Sequence, residues 1–330
     1  VGVLDLFKLD GKVALVTGGG QGIGRQLALA LAEAGANVAV ADINERTGSH
    51  VAAEVASVGR RSAFMRTDVS RPDEIDAMVA QTVAALGGLD ILVNNAWAGG
   101  RYLVPPTAED FPLEDWQFTM NLALQAPFLA CKAAARVMIP RGRGKIVNMA
   151  SMSATIANAG LAYCSAKAGV VMLTKRLAAE WGRYNINVNC ISPSYTLSPA
   201  RRRDSRDSRD LIRSYHPMGW HERPSDLCGT LIYLVSDASN YVTGRDILVD
   251  GGHTLNVWLR PLTRTHAPLV SPDEEAEALI HDLDILAVPH DGTGVVSGDN
   301  DSRLPGAPAL STPRPATAVS PPPPKGASPG

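Results

Sequence analysis

Up to about residue 258, short apolar runs alternate with longer stretches whose apolar positions recur at helical spacing. Val13, Ala14, Leu15 and Val16 form a buried-strand run over 12–17. A glycine-rich turn follows, and Leu27, Ala28, Leu31 and Ala32 then share one face of a helix that Gly35 ends. The series continues with a strand over 36–42, a helix over 45–58 and a strand over 62–67. Asp68-Val69-Ser70 caps the next helix, with Asp73 and Glu74 in its first turn, and a strand over 90–93 comes after it. Beyond an irregular connection over 105–112 lie a helix over 116–138, a strand over 145–149, a helix holding Tyr163 and Lys167, a helix over 225–234 and a strand over 246–249. This alternation predicts an α/β fold, a doubly wound parallel sheet with helices on both faces.

After Trp258 the pattern fades. Proline and serine rise, and Ser320–Lys325 contains four consecutive prolines, so 259–330 reads as a disordered tail. Ser271-Pro272-Asp273-Glu274 has capping-box spacing, which predicts one short helix near 272–283.

Composition narrows the class. A chain of 330 residues, 45% hydrophobic and 19% charged, can bury a sizeable core. Its net charge of −2 offers no basic field for nucleic acid. No run approaches the roughly 18 uninterrupted apolar residues of a spanning helix, and no basic-then-apolar leader opens the chain, so no membrane partner is expected. Cys131, Cys164, Cys190 and Cys228 are far apart and lack zinc-site spacing. They fit a reduced, cytoplasmic setting as small core residues, with no metal.

Three places carry candidate chemistry. Tyr163 and Lys167 fall four apart on one helix face. A phenol is a poor proton acceptor at neutral pH, but an ammonium about 6 Å away at an effective dielectric of about 20 favours its phenolate by on the order of 3 kcal/mol. The pair is therefore a candidate acid/base. Gly18-Gly19-Gly20-Gln21-Gly22-Ile23-Gly24 lies between a strand and a helix, where backbone N–H groups and the helix N-terminus can face phosphate. Asp42 ends the second strand, where a carboxylate accepts both ribose hydroxyls of a dinucleotide and repels a 2′-phosphate. That favours NAD over NADP, although Arg25 and Arg46 stand close in sequence.

The sequence resembles the short-chain dehydrogenase/reductase family, in its single-domain branch of about 250 residues. The resemblance runs from about Leu9 to Leu255 and rests on an ordered set. Its members are Thr17-Gly18-x-x-x-Gly22-Ile23-Gly24, Asn94-Asn95-Ala96, Asn121, Ser151, Tyr163-x-x-x-Lys167, Asn189 with Pro193, and Val249-Asp250-Gly251-Gly252. It implies a Rossmann-like domain over 1–258 carrying both cofactor and substrate sites.

In that resemblance Tyr163 is the general acid/base, Lys167 lowers its pKa and binds the nicotinamide ribose, Ser151 hydrogen-bonds the reacting oxygen, and Asn121 kinks its helix and holds a proton-relay water. Gly18, Gln21, Gly22, Ile23 and Gly24 cradle the pyrophosphate, Asp42 the adenosine ribose, and Asp68 and Val69 the adenine. Asn94 and Ala96 serve the central strands and cofactor ribose, while Pro193, Thr196 and Ser198 line the nicotinamide side. The activity implied is NAD-dependent interconversion of a secondary alcohol and a ketone, on a polyol, sugar or similar small substrate, by a homotetramer or homodimer.

An NADPH-dependent 3-oxoacyl-[acyl-carrier-protein] reductase is the variant that Asp42 argues against. A non-catalytic NAD-binding regulator on the same fold ought to have lost Tyr163 or Lys167. Two departures stand out: Trp97 and Ser194 occupy places where the family pattern has glycine. Ser194 would be strained if its place required positive φ. The segment 199–221, where the family builds its substrate lid, is polar and of mixed charge, with Arg201, Arg202, Arg203 and Arg206 as candidates to recruit an anionic group.

Overall fold

The structure, a computed structural model, describes residues 2–98, 106–198 and 206–256. The tail 259–330, with its expected helix near 272–283, and Arg201, Arg202 and Arg203 lie outside the described residues.

Seven strands form one parallel sheet in the order β3-β2-β1-β4-β5-β6-β7. They are β1 (Val13–Thr17), β2 (Asn37–Asp42), β3 (Ser62–Arg66), β4 (Ile91–Asn94), β5 (Gly144–Met149), β6 (Ile186–Pro193) and β7 (Asp246–Val249). The helices are α1 (Gly22–Glu33), α2 (Glu45–Ser57), α3 (Pro72–Leu86), α4 (Leu113–Met120), α5 (Ala126–Arg141), α6 (Leu161–Trp181), α7 (Arg206–Ser214) and α8 (Cys228–Val235).

The strands read as continuous apolar runs because helices cover both faces of the sheet. Alternate side chains go to opposite sides. Val13, Leu15, Leu92 and Ile146 pack with α3, α5 and α6 through Ile75, Met138 and Trp181. Ala14, Val16, Val93 and Val147 pack with α1, α2 and α8 through Leu27, Val51 and Leu231. At the amino ends, buried Asp90 accepts the Val13 N–H at 3.0 Å and pairs with Arg141 and Arg143, both at 3.1 Å. It thereby ties β1 to the turn that leads into β5.

Several sequence expectations change. β6, every residue of which is buried, is a strand that the apolar pattern does not predict. The helix expected over 116–138 is α4, a π-helical turn over Asn121–Gln125, and α5. α3 opens at Pro72 with Arg71 at its N-cap, so Asp68-Val69-Ser70 precedes the helix and does not cap it. A proline locks its own φ in the helical range and lacks an N–H to satisfy, so it favours the first helical position. A 3-10 turn, Pro224–Leu227, replaces the first residues expected of α8. Gly35 does close α1, with φ +118.

The continuous stretch Leu113–Arg141 is long and apolar enough to cross a membrane by length and composition, which the uninterrupted-run test did not detect. Half of its apolar window is buried inside the fold, as suits a core helix. All four cysteines are free; Cys131 and Cys190 are buried, while Cys164 and Cys228 are only partly so.

Leu92 is fully buried in central β4. Leu92→Ala is expected to lower unfolding free energy by about 2–5 kcal/mol through lost burial and a residual cavity. Equilibrium urea denaturation checks this, and a loss below about 1 kcal/mol would mean the packing there relaxes freely.

Candidate active site

Parallel strands all end on the same edge of the sheet. The chain crosses in opposite directions from β1 and from β4, so a crevice opens between their carboxyl ends. Every predicted site residue except Asn121 and the Tyr163/Lys167 pair follows or ends one of these strands.

The glycine turn leaves β1 with Gly18 at φ +61 and Gly22 at φ +55, values that favour glycine. A Cβ on Gly24 would stand 2.0 Å from the Gly18 carbonyl oxygen, so no side chain fits there. Asn95 holds the turn closed: its amide donates to the carbonyls of Thr17 and Gly18 at 3.1 and 3.0 Å. The Thr17 hydroxyl in turn accepts the N–H groups of Asn95 and Ala96 at 3.0 and 3.2 Å. Asn95 was not among the predicted site residues; the Asn-Asn-Ala motif held it, but spacing could not say which amide does what. Gln21 takes the N-cap of α1 without a side-chain cap bond, and Ile23 packs toward the core. The first-turn N–H groups thus face the crevice side of a crowded glycine cradle, which fits a diphosphate.

Asp42 lies beside this turn. Its two oxygens accept the N–H groups of Gly20 at 2.8 Å and Asn44 at 2.9 Å. Burial pushes its pKa up, and these backbone bonds oppose the shift. Arg25 is bound through its guanidinium to Glu54, with Nε 2.8 Å from Oε2. Asp68 accepts the Ser70 N–H and hydroxyl at 2.9 and 2.7 Å, and its own N–H donates to Glu74. Val69 lines a small cleft with Thr17, Asn94, Ala96, Leu122 and Ala126. Asn94 donates to Asn148 at 2.8 Å, and Asn148 donates to the Thr174 hydroxyl at 2.9 Å. This buried relay links β4, β5 and α6.

On the other side of the crevice, α6 packs against the 3-10 turn Met152–Ala154 that follows Ser151. Lys167 is buried and donates to the Met149 carbonyl at 2.7 Å, two residues before Ser151. Burial lowers its pKa to about 8, so it stays mostly charged at pH 7. Its Nζ lies 5.6 Å from the centre of the Tyr163 ring. Trp97 packs on the same phenol, with centroids 5.0 Å apart and planes inclined at 50°. Ser151 Oγ accepts the Ser153 N–H at 3.1 Å, which leaves its own proton to donate. Ser153 is spent on Asn158 at 2.8 Å. Asn121 opens the π turn, its carbonyl accepting the Ala126 N–H, and the residue is exposed.

The exit from β6 holds groups that sequence reasoning missed. Ser194 is not strained, because Asn185 alone among the described non-glycine residues has positive φ. Instead Ser194 donates its N–H to Glu222 at 3.1 Å, and its hydroxyl meets His216 Nε2 at 2.7 Å and Met152 Sδ at 3.2 Å. His216 Nδ1 lies 2.9 Å from the Ile212 carbonyl in α7, an acceptor only, so Nδ1 carries the proton and Nε2 accepts from Ser194 when the ring is neutral. The Thr196 hydroxyl donates to the same Glu222 oxygen at 2.5 Å. Burial raises the Glu222 carboxyl to about 8. Pro193 ends β6, and Ser198 closes the described stretch 106–198. No spacing rule could have found Glu222 or His216, since contacts across more than twenty residues place them here.

Residues 18–254 match a family profile described as enoyl-(acyl carrier protein) reductase. The chain is 38% identical over 251 residues to D-threitol dehydrogenase of Mycolicibacterium smegmatis, covering 76% of this chain and 95% of that protein. A short-chain type dehydrogenase/reductase from Mycobacterium marinum superposes with TM-score 0.70 at 42% identity, over 77% of this chain and 99% of the other. The chain belongs to the short-chain dehydrogenase/reductase family. A further member, a gluconate 5-dehydrogenase from Burkholderia cenocepacia solved with NADP and tartrate, is 37% identical with TM-score 0.72, over 78% of this chain and 100% of the other. As a short-chain dehydrogenase/reductase this protein is an NAD(P)-binding alcohol/ketone oxidoreductase.

The buried ammonium gives this short-chain dehydrogenase/reductase a pH signature. Its pKa of about 8 in the fold lies below the 10.5 of an exposed lysine, so the unfolded chain binds more protons between those values. Lys167's contribution to stability therefore rises as pH climbs from about 8 to 10.5, by on the order of 3 kcal/mol, and is lost as pH falls through 8. Urea denaturation of ligand-free wild type and Lys167→Met at pH 7.5 and 9.5 isolates it. The wild type should gain on the variant at the higher pH, and parallel curves would contradict the shift.

Proposed function

We propose that this enzyme is an NAD-dependent dehydrogenase of a polyol, sugar or similar small secondary alcohol, with Tyr163 as its general acid/base. The observation that carries the reading is Lys167, buried, anchored on the Met149 carbonyl and 5.6 Å from the Tyr163 ring. A cation held beside the ring favours the charged, phenolate form of its neighbour. Tyr163 then exchanges a proton with the substrate oxygen near neutral pH, and Ser151 donates a hydrogen bond to the same oxygen. Lys167 spends one of its three donors on Met149 and keeps two for a ribose. Asn121 holds a water that returns the proton to solvent.

The dinucleotide, when bound, gives or takes the hydride. Gly18, Gln21, Gly22, Ile23 and Gly24 hold its diphosphate, Asp68 and Val69 its adenine, and Asn94 and Ala96 a ribose. Pro193, Thr196 and Ser198 line the nicotinamide side. A carboxylate has room for about four hydrogen bonds, so Asp42 can take ribose hydroxyls while keeping Gly20 and Asn44. Arg25 is engaged by Glu54, which removes one cation from service to a 2′-phosphate and supports NAD over NADP. The names of the threitol and gluconate enzymes support a small polyhydroxylated substrate. We assign both sites to one domain over 1–258, in a cytoplasmic homotetramer or homodimer. Phe128 on α5 and Met172 on α6, 42% and 62% exposed, support burial of those helices between copies.

Tyr163→Phe should bind NADH as the wild type does, followed by cofactor fluorescence, and lose about 10²–10⁴-fold in kcat on a polyol panel. Retained turnover would remove the acid/base role. In the same assay kcat/KM should favour NAD over NADP by about tenfold or more, the effect of at least 1.4 kcal/mol at Asp42. Equal use of the two would sink the assignment made from that carboxylate.

A further inference from the structure

Tyr163 is the third residue of α6, and the start of this helix is loosely fastened. Gly160 takes the N-cap with no side-chain cap bond, and Leu161 is 43% exposed. The first four N–H groups of a helix have no partner within it, and without a cap the first turn is where a helix frays. The buried residues of α6 begin at Ala162 and resume at Ala166 and Lys167, so the core grips the helix mainly from its second turn onward. An acid/base group must nevertheless be held to a fraction of an ångström. Something other than helix capping has to hold the phenol.

Trp97 meets that need. It follows Asn94-Asn95-Ala96, and Asn95 and Ala96 are pinned to Thr17 by hydrogen bonds of 3.0 and 3.2 Å. The indole therefore extends from one of the better-anchored points at the crevice and lies against Tyr163, with ring centroids 5.0 Å apart at 50°. That separation lies within the range at which aromatic rings attract. Lys167 Nζ stands 5.6 Å from the same ring, and its own position is set by the Met149 carbonyl. Trp97 thus reaches the phenol from the end of β4, and Lys167, one turn further along α6, is tied to the end of β5. A glycine at residue 97 would remove the contact from β4.

We propose that Trp97 is a positioning residue for Tyr163: its indole, anchored through the strand end of β4, holds the acid/base phenol in place at the uncapped start of α6. This rests on the reading of Tyr163 as the acid/base. Trp97 itself transfers no proton in this reading and acts through the Tyr163 ring it packs against, so its effect exists only while Tyr163 is the acid/base.

The test compares Trp97→Gly, Trp97→Phe, Tyr163→Phe and the Trp97→Gly/Tyr163→Phe double variant in the full chain, with thermal melting as a control. Trp97→Gly should lose about tenfold in kcat, the scale of a sub-ångström misplacement, with KM and the NADH dissociation constant within about threefold. Trp97→Phe, which keeps a flat ring, should recover most of the loss. Single-turnover rates of the double variant should match those of Tyr163→Phe alone, because residues acting as a unit are not additive.

A further tenfold fall in the double variant, or a loss confined to KM, overturns the proposal, as does unchanged kcat in Trp97→Gly beside an inactive Tyr163→Phe. A fully active Tyr163→Phe would overturn the acid/base reading itself. Should the glycine variant melt early, Trp97→Leu carries the same expectations without the added backbone freedom.

Discussion

Seven strands that all run the same way must all end on the same side, and this constraint makes the site. Strand β1 delivers the glycine turn, β2 the carboxylate of Asp42, β4 the two asparagines, β5 Ser151 and β6 the loop of Ser194 and Thr196. In an antiparallel sheet half of these would lie at the far edge. Parallel pairing requires a crossover after each strand, and helices on both faces bury what would otherwise be exposed apolar runs. Packing and chemistry share a cause: the apolar strands that oblige the sheet to be covered also bring their polar sequels together.

At that shared edge, burial sets the electrostatics. Lys167 is held on a backbone carbonyl in a place that lowers its pKa to about 8, and it remains charged enough at neutral pH to act on a neighbour. Water would screen such a charge within a few ångströms, whereas a protein interior transmits it. The same burial acts in the opposite sense on Glu222, whose carboxyl rises to about 8 while one oxygen accepts both Ser194 and Thr196. Around pH 7 the crevice is therefore flanked by a lysine kept mostly charged and a glutamic acid kept mostly neutral, each holding backbone or hydroxyl groups of a strand-end loop.

Departures from the family pattern have structural answers here. Ser194 stands without positive φ, and its hydroxyl joins β6 to the loop after α7 through His216. Trp97 is packed on Tyr163. Where glycine would have given a bare backbone, this chain has side chains that tie separate elements together.

The alternation of apolar runs and amphipathic helices was legible from residue order alone, because period two and period 3.6 are local properties of the backbone. So were the glycine cradle and the Tyr163–Lys167 pair, whose members are close in sequence. Strand β6 was not, since Asn187, Asn189 and Ser192 interrupt the continuous apolar run that marks the other buried strands. The family resemblance implied a kink at Asn121 but not its π form, which depends on how α4 and α5 pack against α6 and has no signature of its own period. Asn95's clamp on Gly18, the Asn94–Asn148–Thr174 relay and the meeting of Ser194 with Glu222 and His216 span 22 to 77 residues. Local order determined which segments could be strands and which residues could do chemistry. Only the folded sheet, by stacking strand ends from distant parts of the chain, decided which of those residues are neighbours.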